Sequence, residues 1–318
     1  PTLPLWEGQT AGSRLGRGTP FPAYGALPVF PAYPSPKFSS LRSQILTLPQ
    51  GEGGNTPRFH ILRHLLYAPP MLLHHSSWPE IEAYLTKSKG IVIPIGSTEQ
   101  HGPNGLIGTD AICPEAIAHR AGEQAGFLVG PTFNVGIAQH HLAFPGTMTL
   151  RPSTMIAAIH DWVSSLARHG FERIYFFNGH GGNVATIEAA FAEIYADQSL
   201  ARGASNRGPV KCRRANWWDF KPVMDFCQKR YGSAHGVHAT PSEVAVTYFL
   251  HPNAVKDVEM APKVAPWGRY TDAESYRAAF PDGRIGSDPS LADPADGEKL
   301  IALSAEGLIE DFRKFEAA

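Results

Sequence analysis

Residues 91–110 read IVIPIGSTEQHGPNGLIGTD, and the rest of the chain can be placed around them. The run 90–95 is short, rich in β-branched residues and bounded by breakers, which predicts a buried strand rather than a helix. Its carboxyl end opens into a loop kept irregular by Gly102, Pro103, Gly105 and Gly108. Three groups able to bind a metal, Glu99, His101 and Asp110, fall within twelve residues of that loop. In open α/β sheets the crevice beyond the strand ends is where ligands sit, so Glu99 and His101 are expected to project into it. Carboxylate and imidazole together suit zinc, manganese or iron, and a carboxylate can bridge two ions where an imidazole cannot. Asp110 is the candidate bridge. The competing reading is an ordinary helix start at Thr109-Asp110.

Outward from this stretch, helical and strand signals alternate. A helix is expected over 78–89, with Ser77 as N-cap and Glu80 at capping-box spacing. Further helices are expected over 111–124 and 153–169, the latter stopped by Gly170. A short strand is expected within 126–131. A second strong strand, 173–177, runs into the glycine-rich turn Asn178-Gly179-His180-Gly181-Gly182-Asn183 and then a helix over 184–196. Residues 210–215 form a weaker strand, and 243–250 read equally as helix or strand. Strands separated by helices argue for one α/β domain with a parallel sheet and right-handed crossovers.

Residues 1–70 differ in kind. They contain twelve of the 28 prolines and only two acids, without helical or strand periodicity before Ile61. They are expected to be a disordered or non-native extension, with the natural start at Met71, the first methionine, and the domain over 71–318. The formal net charge of -1 gives no electrostatic footprint for nucleic acid or an anionic membrane, so a small-molecule partner is expected. Three widely separated cysteines make neither a disulfide framework nor a thiolate zinc site, which fits a reducing cytoplasm. No run of about 18 apolar residues is present, so neither membrane insertion nor secretion is expected.

His180 ends the second strand as Glu99 and His101 follow the first, so the two turns should open on the same sheet edge. A phosphate-cradling turn is the alternative for NGHGGN, but the lysine and spacing of a P-loop are missing. In HGVHATPSEVAV, Thr240 can cap a helix beginning at Pro241, which sets Glu243 in its first turn near His238. That pair can move protons, add a metal ligand or merely cap the helix. The turn Phe144-Pro145-Gly146-Thr147 after His140-His141 can wall a pocket, as can Trp217 and Trp218. His119, His160 and His169 sit inside helical patterns and are expected to be surface or capping residues.

Taken in order, PIGSTEQHGPNGLIGTD, HHLAFPGTMTL, FFNGHGGN, NWWDF and HATPSE resemble the creatininase (creatinine amidohydrolase) family over about residues 75–255. The resemblance implies a parallel β-sheet sandwiched between helix layers, a homo-oligomer that is commonly a hexamer, and metal-dependent hydrolysis of a C–N amide bond in a small cyclic or linear amide. It implies one or two divalent ions (Zn, Mn or Fe) on Glu99, His101, Asp110 and His180, and His238 with Glu243 as the catalytic pair. His141, Phe144, Gly146, Thr147, Trp217 and Trp218 would form the substrate pocket. Two alternatives stay open: a deformylase of a pyrimidine or nucleotide intermediate, and a metal-binding homologue without turnover. The sequence departs from creatininase proper at Gly182, where that enzyme has a glutamate ligand, and at Gly232-Ser233-Ala234, where it has a tryptophan that closes over creatinine. The first departure leaves the second ion one ligand short unless Glu243 or a water completes it.

Overall fold

The computed structural model describes residues 71–200 and 209–318, which belong to one compact unit. The expected extension over 1–70 lies outside the described residues. Five strands form a single sheet: β1 (Met71–Leu72), β2 (Gly90–Ile95), β3 (Leu128–Val129), β4 (Arg173–Asn178) and β5 (Lys211–Asn216). Their order is β1-β3-β2-β4-β5 and every pairing is parallel. β2 lies at the centre and is buried along its whole length, as a strand covered on both faces must be.

Alternation along β2 and β4 sends side chains to two helix layers. Val92, Tyr175 and Phe177 point to one face, where they meet α2 (Thr109–Ala125) and the long α8 (Pro294–Ala317) through Ile117, Ala121, Leu308 and Phe312. Ile91, Ile93, Ile95, Ile174 and Phe176 point to the other. There they meet α1 (Trp78–Leu85), α3 (Pro152–Arg168) and α4 (Val184–Leu200) through Leu85, Ile159, Val163 and Ile187. The fold is therefore α/β, a parallel sheet between helix layers. Fully burying an aliphatic or aromatic side chain is worth about 1.5–3 kcal/mol, so these two interleaved faces are the main source of stability.

Several bounds differ from expectation. α1 begins at its capping box, where the Ser77 N–H donates to Glu80 Oε2 at 2.7 Å, but it ends at Leu85, as polar residues 86–89 turn the chain into β2. β3 is two residues long, because its partner β1 ends at Leu72 where the chain turns into a 3-10 helix, while single hydrogen bonds such as Phe133 N–H to Pro94 O at 2.9 Å continue beside β2. The open question at 243–250 resolves as helix α6 (Pro241–Leu250), following α5 (Lys221–Tyr231). Pro241 at its first position and the Thr240 cap favour helix over strand. Beyond it come α7 (Ala273–Ala279) and α8, for which no expectation existed. No described helix is long and apolar enough to cross a membrane.

Candidate metal centre

The loops after β2, β4 and β5 open on one edge of the sheet, and the N-termini of α2 and α6 point at the same place. Glu99 is anchored by its own N–H, which donates to Ile107 O at 2.8 Å, and by Ser97 Oγ, which donates to Glu99 Oε2 at 2.8 Å. Asp110 stands in the first turn of α2, yet the residue capping that helix is Gly108, and Asp110 makes no cap bond. Its carboxylate instead meets His101 Nε2 at 3.0 Å and His180 Nδ1 at 2.9 Å. His180 is held from behind by two asparagines of its turn. Asn178 Nδ2 donates to His180 O at 2.6 Å, and the Asn183 N–H donates to the same oxygen at 3.2 Å. A Cβ at either Gly96 or Gly179 would overlap the Asp110 carbonyl oxygen, so these glycines permit the close approach of both strand ends to α2.

The donors fall into overlapping groups whose ligand atoms lie within 4.8 Å of one another: Glu99, Asp110 and His180; His101, Asp110 and Glu243; and Glu99, His101 and His238. Glu99, His101 and Asp110 each belong to two of these groups, and Asp110 is the carboxylate that links the first to the second. Glu99, His101, Asp110, His180 and Glu243 are each no more than 9% exposed, and among the described residues no lysine or arginine reaches their carboxylates. Two carboxylate oxygens, Glu99 Oε1 and Asp110 Oδ2, are buried and meet imidazole nitrogens alone, His141 Nε2 at 3.1 Å and His180 Nδ1 at 2.9 Å. Buried acids answered only by imidazoles are costly to keep ionised, so three converging carboxylates and a rim of imidazoles fit a divalent ion well.

The electrostatics reflect the same negative field. Burial alone would lower His101, but Asp110, Glu243 and Glu99 outweigh it and push the imidazole up to about 10. His180, likewise lowered by burial, is carried up to about 9 by Glu99 and Asp110. Burial works against the charged form of Asp110, and His101 and His180 nevertheless hold it well below the usual carboxylate range. Glu243 is raised by burial to about 7, and His101 only partly offsets this. Burial and neighbouring imidazoles drive His238 well below, and His141 down to about 3.

Residues 74–312 match the family model described as creatinine amidohydrolase. The chain belongs to the creatininase family. It is 32% identical over 256 residues to a creatinine amidohydrolase from Pseudomonas putida, covering 75% of this chain and 94% of that one. It is also 26% identical over 232 residues to a mycofactocin precursor peptide peptidase from Mycolicibacterium smegmatis, covering 71% and 85%. Among solved structures, one named for creatininase with Mn has a TM-score of 0.66 at 24% identity, covering 78% of this chain and 100% of that chain. A creatininase mutant of Zn-Zn type has a TM-score of 0.66 at 23% identity, covering 79% and 100%. These last two likenesses show a shared fold.

Beside the acid and imidazole cluster, this creatininase-family chain has a cavity of about 460 Å³. Its walls include His141, Trp217, Trp218, His238, Tyr270 and Ile285. Of the expected pocket residues, His141 and both tryptophans line it. Phe144, Gly146 and Thr147 do not: Phe144 packs on Tyr276 beneath Arg277, Gly146 faces Ile107, and Thr147 Oγ1 accepts from the Gln100 N–H at 3.3 Å. His160 pairs with Asp197 away from the site, as expected of a surface histidine. Tyr270 and Ile285 were not foreseen, since they come from the irregular stretch after α6 that carries no periodic signal. Gln100 was also missed, although its place between Glu99 and His101 was a usable cue. At Gly182 a Cβ would strike His180 Nε2, so in this chain the ring of His180 occupies the space a side chain there would need.

Proposed function

We propose that the chain is a metal-dependent amidohydrolase that cleaves a C–N bond in a small amide, cyclic or linear. The observation that carries this reading is the convergence of two donor groups on Asp110, with Glu99 Oε1 and Asp110 Oδ2 buried and met by imidazole nitrogens alone. Glu99, Asp110 and His180 would hold one ion, zinc and manganese being the metals named for the solved relatives. His101, Asp110 and Glu243 would hold the other. Glu243 thereby supplies the carboxylate missing at Gly182, a role supported by its Oε1 lying 4.0 Å from His101 Nε2. Divalent ions in such a site supply an acidified water and polarise the scissile carbonyl.

The chain's own residues do the remainder. Ser97 ties Glu99 Oε2, and Oε1 faces His141 Nε2 at 3.1 Å. His238 borders the cavity with Nδ1 3.8 Å from Glu99 Oε1, placed to carry a proton to the leaving nitrogen. Trp217, Trp218, Tyr270 and Ile285 give the cavity apolar walls that exclude water from the reacting amide. No lysine or arginine is among the described lining residues, which favours a substrate without phosphate over a nucleotide intermediate. The test is metal analysis joined to a screen of lactams, other cyclic amides, formamides and short peptides. Turnover abolished by a chelator and restored by zinc or manganese is the expected result. A fully metal-loaded protein that hydrolyses none of them would favour a binding role instead.

A further inference from the structure

Gln100 lies between Glu99 and His101 in the chain, and the reaction described above gives it no task. Its side chain is buried. The Gly102 N–H donates to Oε1 at 2.8 Å, and the Gly283 carbonyl oxygen accepts from Nε2 at 2.9 Å. A backbone N–H can only donate and a carbonyl can only accept, so these contacts fix which end of the amide is which. The NH2 end therefore faces His141 Nδ1 at 2.9 Å and His238 Nε2 at 2.8 Å.

Two amide hydrogens meet three close neighbours; the Tyr276 hydroxyl stands farther off at 3.5 Å and itself donates to Gly283 O at 2.8 Å. His141 Nδ1 has no other hydrogen-bond partner among the described residues, and a hydrogen on it would point at another donor. It must accept. Gly283 O takes the second hydrogen. His238 Nε2 then has its own partner, the Gln100 carbonyl oxygen at 2.9 Å, which only accepts. The reverse assignment would set the His238 lone pair against that carbonyl. Each neutral ring thus carries its proton on Nε2. His141 Nε2 lies 3.1 Å from Glu99 Oε1, so His141 presents a donor there and has no lone pair on that nitrogen for an ion. His238 is left with a bare Nδ1 facing Glu99 across 3.8 Å.

We propose that Gln100 is the positioning residue of the site: its side-chain amide and its own carbonyl lock His141 and His238 as Nε2–H tautomers, one turned into a donor and the other into a free lone pair. For the hydrolase proposed above, on which the functional half of this inference rests, that orders the two rings before substrate arrives.

The experiment uses the full chain, labelled with 15N at histidine and incubated with zinc, and reads tautomers from long-range 1H–15N correlations. Signals are assigned by their loss in His141→Asn and His238→Asn. Both rings are expected as Nε2–H in the parent. Gln100→Glu offers acceptors only, so His141 should move its proton to Nδ1, and Gln100→Met should leave both rings as tautomer mixtures. Zinc affinity by chelator competition should weaken about 10- to 100-fold in Gln100→Met, as for other residues that orient a metal site. An Nδ1–H His141 in the parent overturns the proposal even if no variant folds, and so do unchanged tautomers in folded Gln100→Met. If the parent takes up no zinc, the hydrolase reading fails, while the same spectrum still reads the tautomers.

Discussion

At the scale of single residues, Glu99 and Asp110 carry the heaviest burden because they bring negative charge where no described lysine or arginine answers it. Glu99→Gln and Asp110→Asn keep shape and remove that charge. Each should lose bound metal, since each belongs to two donor groups. Full metal content in both folded variants, measured by elemental analysis, would remove them from the ligand set. His238→Ala tests the opposite case, a side chain assigned to proton transfer rather than binding. General acid-base participation is typically worth about 10²- to 10⁴-fold, so kcat should fall within that range while metal content and Tm stay near the parent. Parental kcat would make His238 structural. The grouping of these candidates was legible because Glu99, His101 and His180 follow strand ends among breakers and Asp110 opens the next helix. Gln100 was harder to read, since its partners His141, His238 and Gly283 come from 41 to 183 residues away and only the fold brings them together.

At the scale of elements, α6 does two things with one side chain. Glu243 Oε1 accepts from the Thr240 N–H at 2.5 Å, and the Glu243 N–H donates to Thr240 Oγ1 at 3.3 Å, a complete capping box. Glutamine also serves in a capping box, so Glu243→Gln should leave Tm close to the parent. It removes the charge beside His101, however, and should lower metal stoichiometry toward one ion per chain. Unchanged stoichiometry would return Glu243 to a capping role alone. A second element-scale device is the glycine pair at the strand ends. Gly179→Ala places a methyl group against Asp110 O and the Pro114 ring, both rigid parts of α2. Overpacking of this kind typically costs about 1–3 kcal/mol, and here it should also displace Asp110. A lowered denaturation midpoint with weakened metal binding is expected, and a neutral effect on both would show that the strand ends can separate freely from α2. The strands and first helices were readable because their periods are local. The bounds of β3 and the length of α8 were not, since pairing partners and the helix layer across the sheet decide them.

At the scale of the whole molecule, the buried charges of one site should shape the stability of the entire chain against pH. In the chelated protein, His101 and His180 are raised to about 10 and about 9 from an ordinary 6.5. A raised imidazole contributes stability that is complete below 6.5 and is lost as pH climbs through its folded value. Glu243, raised from 4.5 to about 7, acts in the same sense at lower pH, its contribution fading between those values. His140, His141 and His238 are lowered, so what they contribute is present above 6.5 and disappears on acidification. Between about pH 6.5 and 10 the site groups therefore act with one sign, and Tm of the chelated protein should fall across that window. Metal reverses the sign, because ligation needs imidazoles without the competing proton and so strengthens as pH rises. The gap in Tm between metal-loaded and chelated protein should widen steadily from pH 6.5 to 9, read by scanning fluorimetry in matched buffers. A gap that narrowed over that range would mean that His101 and His180 are not the groups a metal displaces protons from, and the ligand assignment would have to be rebuilt.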